Sequence, residues 1–347
     1  MKVFLILLGI FSAAIVQAKS ENASSERLLM QSDAMAGSRL DTDQVKRLED
    51  DVAKKPDDVS ARCKLLGYYF MKRHNSAEAK QAYRGHVLWF IKNHPESEIA
   101  GTPFCELDPI TDPDGYHDAK QVWMKQIESH AKDAVILGNA ARFFLLCDKQ
   151  LAEKLLKQAK EVEPKNPDWP DLLGHFYTLQ HDNDSSAKAL TELEEAEAVD
   201  TSDESKSVRL KELAKSAYEA GEIEKATKYA EKLLKTGTKD PQNWNYGNAI
   251  HQGNNVLGRI ALKQGHIPQA NEYLLKAGKT PGSPQLNSFG PNMSLAKELL
   301  EAGQKDTVLQ YFALCRKFWK SGGDELDEWT KLVEKGQVPK FGANLSY

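Results

Sequence analysis

The sequence lacks several features that would identify a protein class directly. It has only four cysteines in 347 residues, no Cys-x-x-Cys pair and no Cys/His spacing that fits a metal site. Positive and negative charge nearly balance, with 46 Lys and Arg against 50 Asp and Glu, so bulk nucleic-acid binding is not expected. These absences exclude a disulfide-dense miniprotein, collagen and a wholly disordered chain. They leave one repeat array or about two globular domains.

Long apolar runs are absent after the first eighteen residues. Within those, Lys2 precedes an apolar stretch from Val3 to Val16, which ends in Val16-Gln17-Ala18. A cation, a short apolar stretch and a small-x-small ending are typical of a secretory signal peptide. The stretch is shorter than the ~18–20 residues of a membrane span, which argues against a retained anchor. We therefore predict a signal peptide at residues 1–18, no transmembrane segment, and a secreted or periplasmic mature chain.

No catalytic signature occurs in the sequence. It contains no Gly-x-Ser-x-Gly, no Walker loop, no His-Glu-x-x-His and no Gly-x-Gly-x-x-Gly after a strand. The sequence therefore favours a non-enzymatic role, and it predicts no cofactor and no metal.

Export would allow two kinds of modification. An exported chain can oxidise its cysteines, and the favoured disulfide joins Cys63 and Cys105, with buried free thiols as the alternative for these and for Cys147 and Cys315. Four Asn-x-Ser/Thr triplets would accept glycans in a eukaryotic secretory pathway. They begin at Asn22, Asn183, Asn292 and Asn344.

From Asp57 onward the sequence has a helical period and almost no β-type alternation. Three segments share one pattern: a leucine with a small neighbour, a glycine eight residues after the leucine, and a small residue five positions later. The three copies are Leu213-Ala214 with Gly221 and Ala226, Leu257-Gly258 with Gly265 and Ala270, and Leu295-Ala296 with Gly303 and Val308. This spacing predicts two helices joined by a glycine turn, with small residues where the helices approach closely.

The pattern resembles the tetratricopeptide repeat (TPR), a helix-turn-helix unit. Degenerate copies at Leu66-Gly67 and at Leu173-Gly174-x2-Tyr177 fit the same repeat. The resemblance implies an all-α solenoid, a right-handed superhelix of about six helix pairs, over residues 57–335. A polar leader and entry segment at 19–56, loosely ordered over residues 19–45, would precede it and a tail at 336–347 would follow. The resemblance also implies a secreted bacterial protein of this type. An unrelated α-solenoid or helical bundle is the alternative, because Leu/Ala spacing also occurs in generic cores.

Two polar features interrupt the repeats near the C-terminus. Asn248, His251 and Asn255 recur at intervals of three and four, so on a helix they share one face. Asparagine inside a helix is unfavourable without a partner, and the stripe therefore predicts hydrogen bonds to a loop, a neighbouring helix or a ligand. The segment 280–292 is long for a connector, and it is either a structural insertion or a binding loop.

The end of the sequence divides into a predicted cap and a tail. Residues 324–335 have an apolar face, formed by Leu326, Trp329, Leu332 and Val333, which suits a helix that covers the open end of a solenoid. Residues 339–347 have no periodicity, and they either pack across a groove or are disordered.

The resemblance to TPR proteins implies a concave groove lined by the first helix of each pair. The register of that groove falls on four cations and one asparagine. With the polar stripe, the predicted binding site comprises Lys211, Lys215, Asn248, His251, Asn255, Arg259 and Lys297. Cations in a groove can bind a carboxylate-bearing peptide by charge-assisted hydrogen bonds. Solvated helix faces are the simpler alternative for the same residues.

The favoured function is an exported, non-enzymatic scaffold that grips a peptide or protein segment of acidic or C-terminal carboxylate character. Nucleic acid is not an expected partner. Two alternatives stay open at this stage. One is an envelope assembly factor that binds cell-wall or outer-membrane components, and the other is an enzyme with a site near the Asn/His-rich helix.

Overall fold

The computed structural model describes residues 21–180 and 183–346, in which every regular element is helical. These residues form seventeen α-helices and four short 3₁₀ helices, and they contain no strand. The predicted signal peptide lies outside them. Within the described ranges, no helix has the length and apolar character needed to cross a membrane. The chain divides between Phe176 and Tyr177 into two compact units, called here the first and the second unit.

The first unit consists of seven α-helices and most of an eighth, which continues into the second unit. They are α1 Glu21–Gly37, α2 Thr42–Lys54, α3 Val59–Lys72, α4 Ala77–Asn93, α5 Pro113–Ser129, α6 Ala134–Phe144, α7 Lys149–Val162 and α8 Asp168–Thr178. Two 3₁₀ helices, Glu98–Gly101 and Pro103–Cys105, lie between α4 and α5. Within this unit α3 packs against α1 and α4, α4 packs against α5, and α6 packs against α7.

The first two helices contradict the prediction of a loosely ordered leader at residues 19–45. Helix α1 packs so closely on α3 that a Cβ on Gly67 would lie 1.8 Å from the carbonyl oxygen of Ala34. Helix α2 buries Val45 and Val52 in a cluster with Leu65. The prediction was wrong because α1 packs through close approach of the backbone at small residues, which leaves no wide apolar stripe in the sequence.

The second unit consists of nine further α-helices. They are α9 Asn183–Val199, α10 Asp203–Glu219, α11 Ile223–Gly237, α12 Tyr246–Lys263, α13 Ile267–Gly278, α14 Pro284–Phe289, α15 Ser294–Glu301, α16 Lys305–Cys315 and α17 Gly323–Glu334. Helices that follow one another pack together from α9 to α13. Helix α16 then packs against α13, α15 and α17. A 3₁₀ helix at Lys320–Gly322 precedes α17, and another lies at Gly342–Leu345.

The predicted glycine turns are present in all three C-terminal copies of the repeat. Gly221, Gly265 and Gly303 have φ of 82°, 80° and 79°, in the left-handed region that favours glycine. In each turn the residue after the glycine donates its N–H to the carbonyl five residues earlier, at 2.8–2.9 Å. This is the Schellman arrangement, which satisfies the last carbonyls of a helix. A fourth copy, with Gly336 at a φ of 76°, ends α17.

The small residues of the repeat are buried where paired helices meet. All six positions that the pattern reserves for small side chains are buried: Ala214, Ala226, Gly258, Ala270, Ala296 and Val308. The predicted cap also forms a helix, which buries Leu326, Trp329 and Val333. The predicted all-α class of TPR-like helical hairpins is therefore confirmed.

Replacing Gly265 by alanine is expected to destabilise the second unit by about 1–2 kcal/mol. A Cβ at Gly265 meets no atom within 4 Å, so the effect comes from the left-handed backbone alone. Gly323→Ala is the matched control, because Gly323 also has open space around its Cβ but a right-handed φ of −57°. We expect the control to be neutral or slightly stabilising. Urea denaturation measures the difference, and equal stabilities would contradict the role of the turn.

The cysteines are free thiols, so the favoured disulfide between Cys63 and Cys105 is not formed in this structure. Both side chains are buried, and burial raises the pKa of Cys63 to about 12. Because only the thiolate attacks in disulfide exchange, burial keeps these groups unreactive. Cys315 is also a buried free thiol, whereas Cys147 is exposed.

Candidate functional site

The residues predicted to form a groove lie on three neighbouring helices of the second unit. Helices α10, α12 and α15 are the first helices of the three C-terminal repeats, and α12 packs against both of the others. We call this row of three helices the A-helix face. Its predicted site residues are Lys211 and Lys215 on α10, Asn248, His251, Asn255 and Arg259 on α12, and Lys297 on α15.

Asn248 holds the first half of the 280–292 segment against α12. Its Nδ2 donates to Oε1 of Gln285 at 3.1 Å, and its Oδ1 accepts a hydrogen bond from the hydroxyl of Ser283 at 2.6 Å. The hydroxyl of Thr280 donates to the carbonyl of Gly247 at 2.9 Å. These contacts place the start of α14 beside the start of α12.

His251 and Asn255 hold the second half of the same segment. Nε2 of His251 accepts the N–H of Asn292 at 3.0 Å, and Nδ2 of Asn255 donates to the carbonyl of Asn292 at 3.2 Å. Nδ1 of His251 lies 3.5 Å from the carbonyl of Ala277 on α13. Because Nε2 accepts a hydrogen bond, the ring proton is assigned to Nδ1.

The imidazole of His251 is neutral at ordinary pH. The side chain is fully buried, and burial lowers its pKa to about 4, although the hydrogen bond with Ala277 opposes the shift. Its ring lies parallel to that of Tyr311, with centroids 6.5 Å apart. Of the three kinds of partner expected for the polar stripe, the structure shows a loop and a neighbouring helix.

Arg259 links the three helices of the A-helix face. Its Nη2 lies 2.8 Å from Oε1 of Glu298 on α15, and its guanidinium lies 4.3 Å from the ring centroid of Tyr218 on α10. Burial alone would lower the pKa of Arg259, but the hydrogen bond and charge of Glu298 outweigh burial and raise it. The cation predicted to contact a peptide is therefore already paired within the protein.

Two further predicted cations pair with carboxylates that are not part of the predicted site. Nζ of Lys297 lies 2.6 Å from Oε1 of Glu301, and Nζ of Lys211 lies 2.9 Å from Oε1 of Glu212. Both lysines are partly exposed, so these pairs are weak. The net positive charge of the A-helix face is nevertheless smaller than the four predicted cations alone would give. These ion pairs could have been predicted from the sequence, since Glu212 follows Lys211 by one position and Glu301 follows Lys297 by four on the same helix.

Lys215 contacts the C-terminal tail. Its Nζ donates to the main-chain carbonyl of Ser346 at 2.7 Å. At the other side of the face, the hydroxyl of Ser294 at the start of α15 lies 3.5 Å from the carbonyl of Leu345. The tail therefore contacts both outer helices of the A-helix face through two consecutive residues. We call residues 341–346 the C-terminal strap.

Asn344 makes most of the hydrogen bonds of the strap. Its Nδ2 donates to the carbonyl of Phe289 at 3.2 Å and to that of Pro291 at 2.9 Å. Its main-chain carbonyl accepts the N–H of Met293 at 2.7 Å. The three partners are Phe289 at the end of α14 and Pro291 and Met293 in the connection to α15, a connection that the polar stripe of α12 holds in place.

Phe341 anchors the start of the strap in the core of the second unit. Its side chain is 2% exposed. Its ring meets that of Trp329 edge-on at 4.9 Å and lies 6.2 Å from that of Phe312. Of the two outcomes expected for this tail, packing and disorder, the structure shows packing over residues 341–346.

Two of the four Asn-x-Ser/Thr triplets belong to this site. Asn292 and Asn344 are both buried, and each is hydrogen-bonded through main-chain groups to the rest of the unit. A glycan on either side chain would require its surroundings to unpack, and for Asn344 these include the contacts of the strap. The side chains of Asn22 and Asn183 lie outside what the structure describes.

Comparisons with known proteins give a structural likeness but no family. No protein-family model matches the chain, and a search of curated proteins gives no significant match. A search of solved structures gives significant matches. One is a chain from a study titled "Functional Characterization of Pseudomonas Aeruginosa pilF", with a TM-score of 0.41 and 17% identity over 69% of this chain and 98% of that one. At this level the likeness supports no functional argument.

Proposed function

We propose that this protein is an exported, non-enzymatic interaction scaffold whose A-helix face binds a peptide segment of a protein partner. Helical hairpins that stack in a row present the first helices side by side, and such rows form binding surfaces in repeat proteins. A scaffold is favoured over an enzyme because His251 is buried, neutral and bonded to main-chain groups. It therefore does not present an imidazole for proton transfer at the surface.

The observation that carries the proposal is the hydrogen bond from Lys215 to the carbonyl of Ser346. It shows a main-chain carbonyl of the tail, just after the 3₁₀ helix Gly342–Leu345, lying on the A-helix face and held by a predicted groove cation. A lysine ammonium that holds a carbonyl can equally hold a carboxylate, which forms stronger charge-assisted bonds. We therefore propose a partner segment with an acidic residue or a free C-terminal carboxylate near Lys215.

Export is the second part of the proposal. It is supported by the pattern of residues 1–18, in which one cation precedes a short apolar stretch and a small-x-small ending. Mass spectrometry of the protein recovered from its native cells is expected to show a mature chain that starts at Lys19.

A peptide library tests the binding function directly. We expect the wild-type chain to select peptides that Lys215→Glu binds at least tenfold more weakly, because the substitution replaces an attractive charge with a repulsive one. Affinities of the selected peptides would be measured by fluorescence polarisation.

Lys276→Glu is the control for a change of net charge. Lys276 lies on α13, a second helix of a pair, where it forms an exposed ion pair with Glu272 at 2.8 Å. We expect this variant to bind the selected peptides as the wild type does. Failure to select any peptide, or an equal effect of the two substitutions, would contradict the proposed site.

A further inference from the structure

The C-terminal strap lies on the A-helix face as a bound peptide would. Lys215 holds the carbonyl of Ser346, and the hydroxyl of Ser294 lies beside the carbonyl of Leu345. Asn344 bonds to the main chain at the end of α14 and in the connection from α14 to α15. Only the carboxamide of Asn344 is a strap side chain among these contacts. The others use main-chain carbonyls, which any peptide of similar shape also has.

The polar stripe of α12 positions the main-chain groups that bind Asn344, and it does so through contacts that do not involve the strap. His251 and Asn255 bind the N–H and the carbonyl of Asn292, which lies between Pro291 and Met293. Pro291 and Met293 are both buried. Buried main-chain groups need a hydrogen-bond partner, so the carbonyl of Pro291 and the N–H of Met293 require one whenever Asn344 leaves.

The two ends of the strap are held with different strength. Phe341 is packed in the core, whereas Gly342, Ala343 and Ser346 are exposed. Gly342 has a φ of 56°, and a glycine there can change its backbone conformation at little cost. Residues 342–346 can therefore move away from the face while Phe341 stays in place, a movement that also exposes the buried Asn344 and withdraws Leu345 from the core on which it packs.

We propose that the strap is a displaceable internal ligand of the A-helix face, and that the peptide which replaces it shares its chemistry. That chemistry is a small residue, then asparagine, then an apolar residue, in a single 3₁₀ turn whose end reaches Lys215. The inference rests on the proposed peptide-binding function and adds to it the class of ligand and its regulation. A tethered segment has an effective concentration of roughly millimolar at its site. A free peptide therefore binds only in proportion to the open fraction of the strap.

The first experiment measures binding of the strap sequence in trans. The probe is a labelled, N-acetylated peptide Phe-Gly-Ala-Asn-Leu-Ser-Tyr, which is the sequence of residues 341–347. We expect the full chain carrying Asn344→Ala to bind it roughly tenfold more tightly than the wild type, because loss of the buried carboxamide opens the strap. Ala343→Ser, at an exposed strap position, is the control and should bind as the wild type does. A peptide with alanine in place of its asparagine should not show this tighter binding to the Asn344→Ala protein.

The second experiment uses the unmodified protein, so it does not depend on a variant that folds. Carboxypeptidase trimming is followed by mass spectrometry with and without a saturating amount of the same peptide. We expect the peptide to accelerate removal of residues 342–347 several-fold, with trimming slowed at Phe341. An unchanged trimming rate would overturn the proposal, since the strap would then be a fixed part of the fold.

The outcomes also separate this inference from the proposed function. If Asn344→Ala is trimmed faster but binds the peptide no better, the strap opens without exposing a site for its own chemistry, and the inference is overturned. Peptides selected from the library would still bind through Lys215 in that case, so the binding function would stand. If no peptide from either source depends on Lys215, the proposed function fails as well.

Discussion

Replacing Arg209 by leucine is expected to lower the free energy of unfolding of the second unit by about 3–5 kcal/mol. Nη2 of Arg209 donates to Oδ2 of Asp200 at 2.9 Å, and each side chain is only 4% exposed. The guanidinium also lies 3.4 Å from Glu197. Leucine would leave the carboxylate of Asp200 buried without its main counter-charge, and this uncompensated charge accounts for most of the loss.

Two further variants test the cause of that loss. Arg209→Leu combined with Asp200→Asn should recover most of the stability, because it removes the stranded charge. Lys225→Leu breaks the pair with Glu194, which lies at the surface at 2.8 Å, and should change stability by at most about 1 kcal/mol. Urea denaturation with hydrogen exchange of residues 183–346 reports on the second unit. If Arg209→Leu lowers the free energy of unfolding no more than Lys225→Leu does, the proposed stabilising role of the buried pair is wrong.

Acid is expected to destabilise the second unit through His251. The pKa of this group is 6.5 as a free side chain and about 4 in the folded protein, where burial lowers it. Between these values the unfolded chain binds a proton that the native protein does not. The stability contributed by the neutral ring is therefore complete above pH 6.5 and is lost as the pH falls towards 4, by up to about 3 kcal/mol.

His251→Gln tests this pH dependence, because glutamine does not titrate but keeps a hydrogen-bond acceptor for the N–H of Asn292. The stability difference between wild type and variant should shrink as the pH falls from 6.5 to 4. His266→Gln, at an exposed position of the same unit, controls for the removal of an imidazole. If the stability of the wild type and of His251→Gln changes with pH in the same way, the ring is not held neutral by burial.

The helical hairpins could be predicted from the sequence because they repeat a chemical requirement. Each turn needs a residue with positive φ, which glycine adopts without strain, and each close helix approach needs a small side chain. Gly221, Gly265 and Gly303 therefore stand at one fixed position. Helix α1 was not predicted, because contact between backbones at Gly67 and Ala34 leaves no apolar period to detect.

The candidate site could be predicted only in part. The spacing of Asn248, His251 and Asn255 identified a hydrogen-bonding face, since three polar side chains on one side of a buried helix need partners. Two properties of the site were not predictable in the same way. The pairing of Arg259 depends on Glu298, 39 residues away. Beside the side chains of Phe341 and Asn344, the strap is held by its main-chain carbonyls, which no residue type marks.

Helix α17 ends in the same turn as the repeats, so its residues can be aligned with theirs. Seven residues before the turn glycine and five residues after it, the repeats have small residues: Ala214 and Ala226, Gly258 and Ala270, Ala296 and Val308. Around Gly336 the same two positions hold Trp329 and Phe341, whose rings are in contact. Two small residues allow a second helix to come close, whereas two aromatic rings fill that volume themselves. Helix α17 is thus the first helix of a hairpin that has no second helix. The contact between Trp329 and Phe341 fills the place where the second helix would pack. Because the two rings occupy the volume of a second helix, the chain beyond Phe341 forms no such helix. It contacts the A-helix face instead.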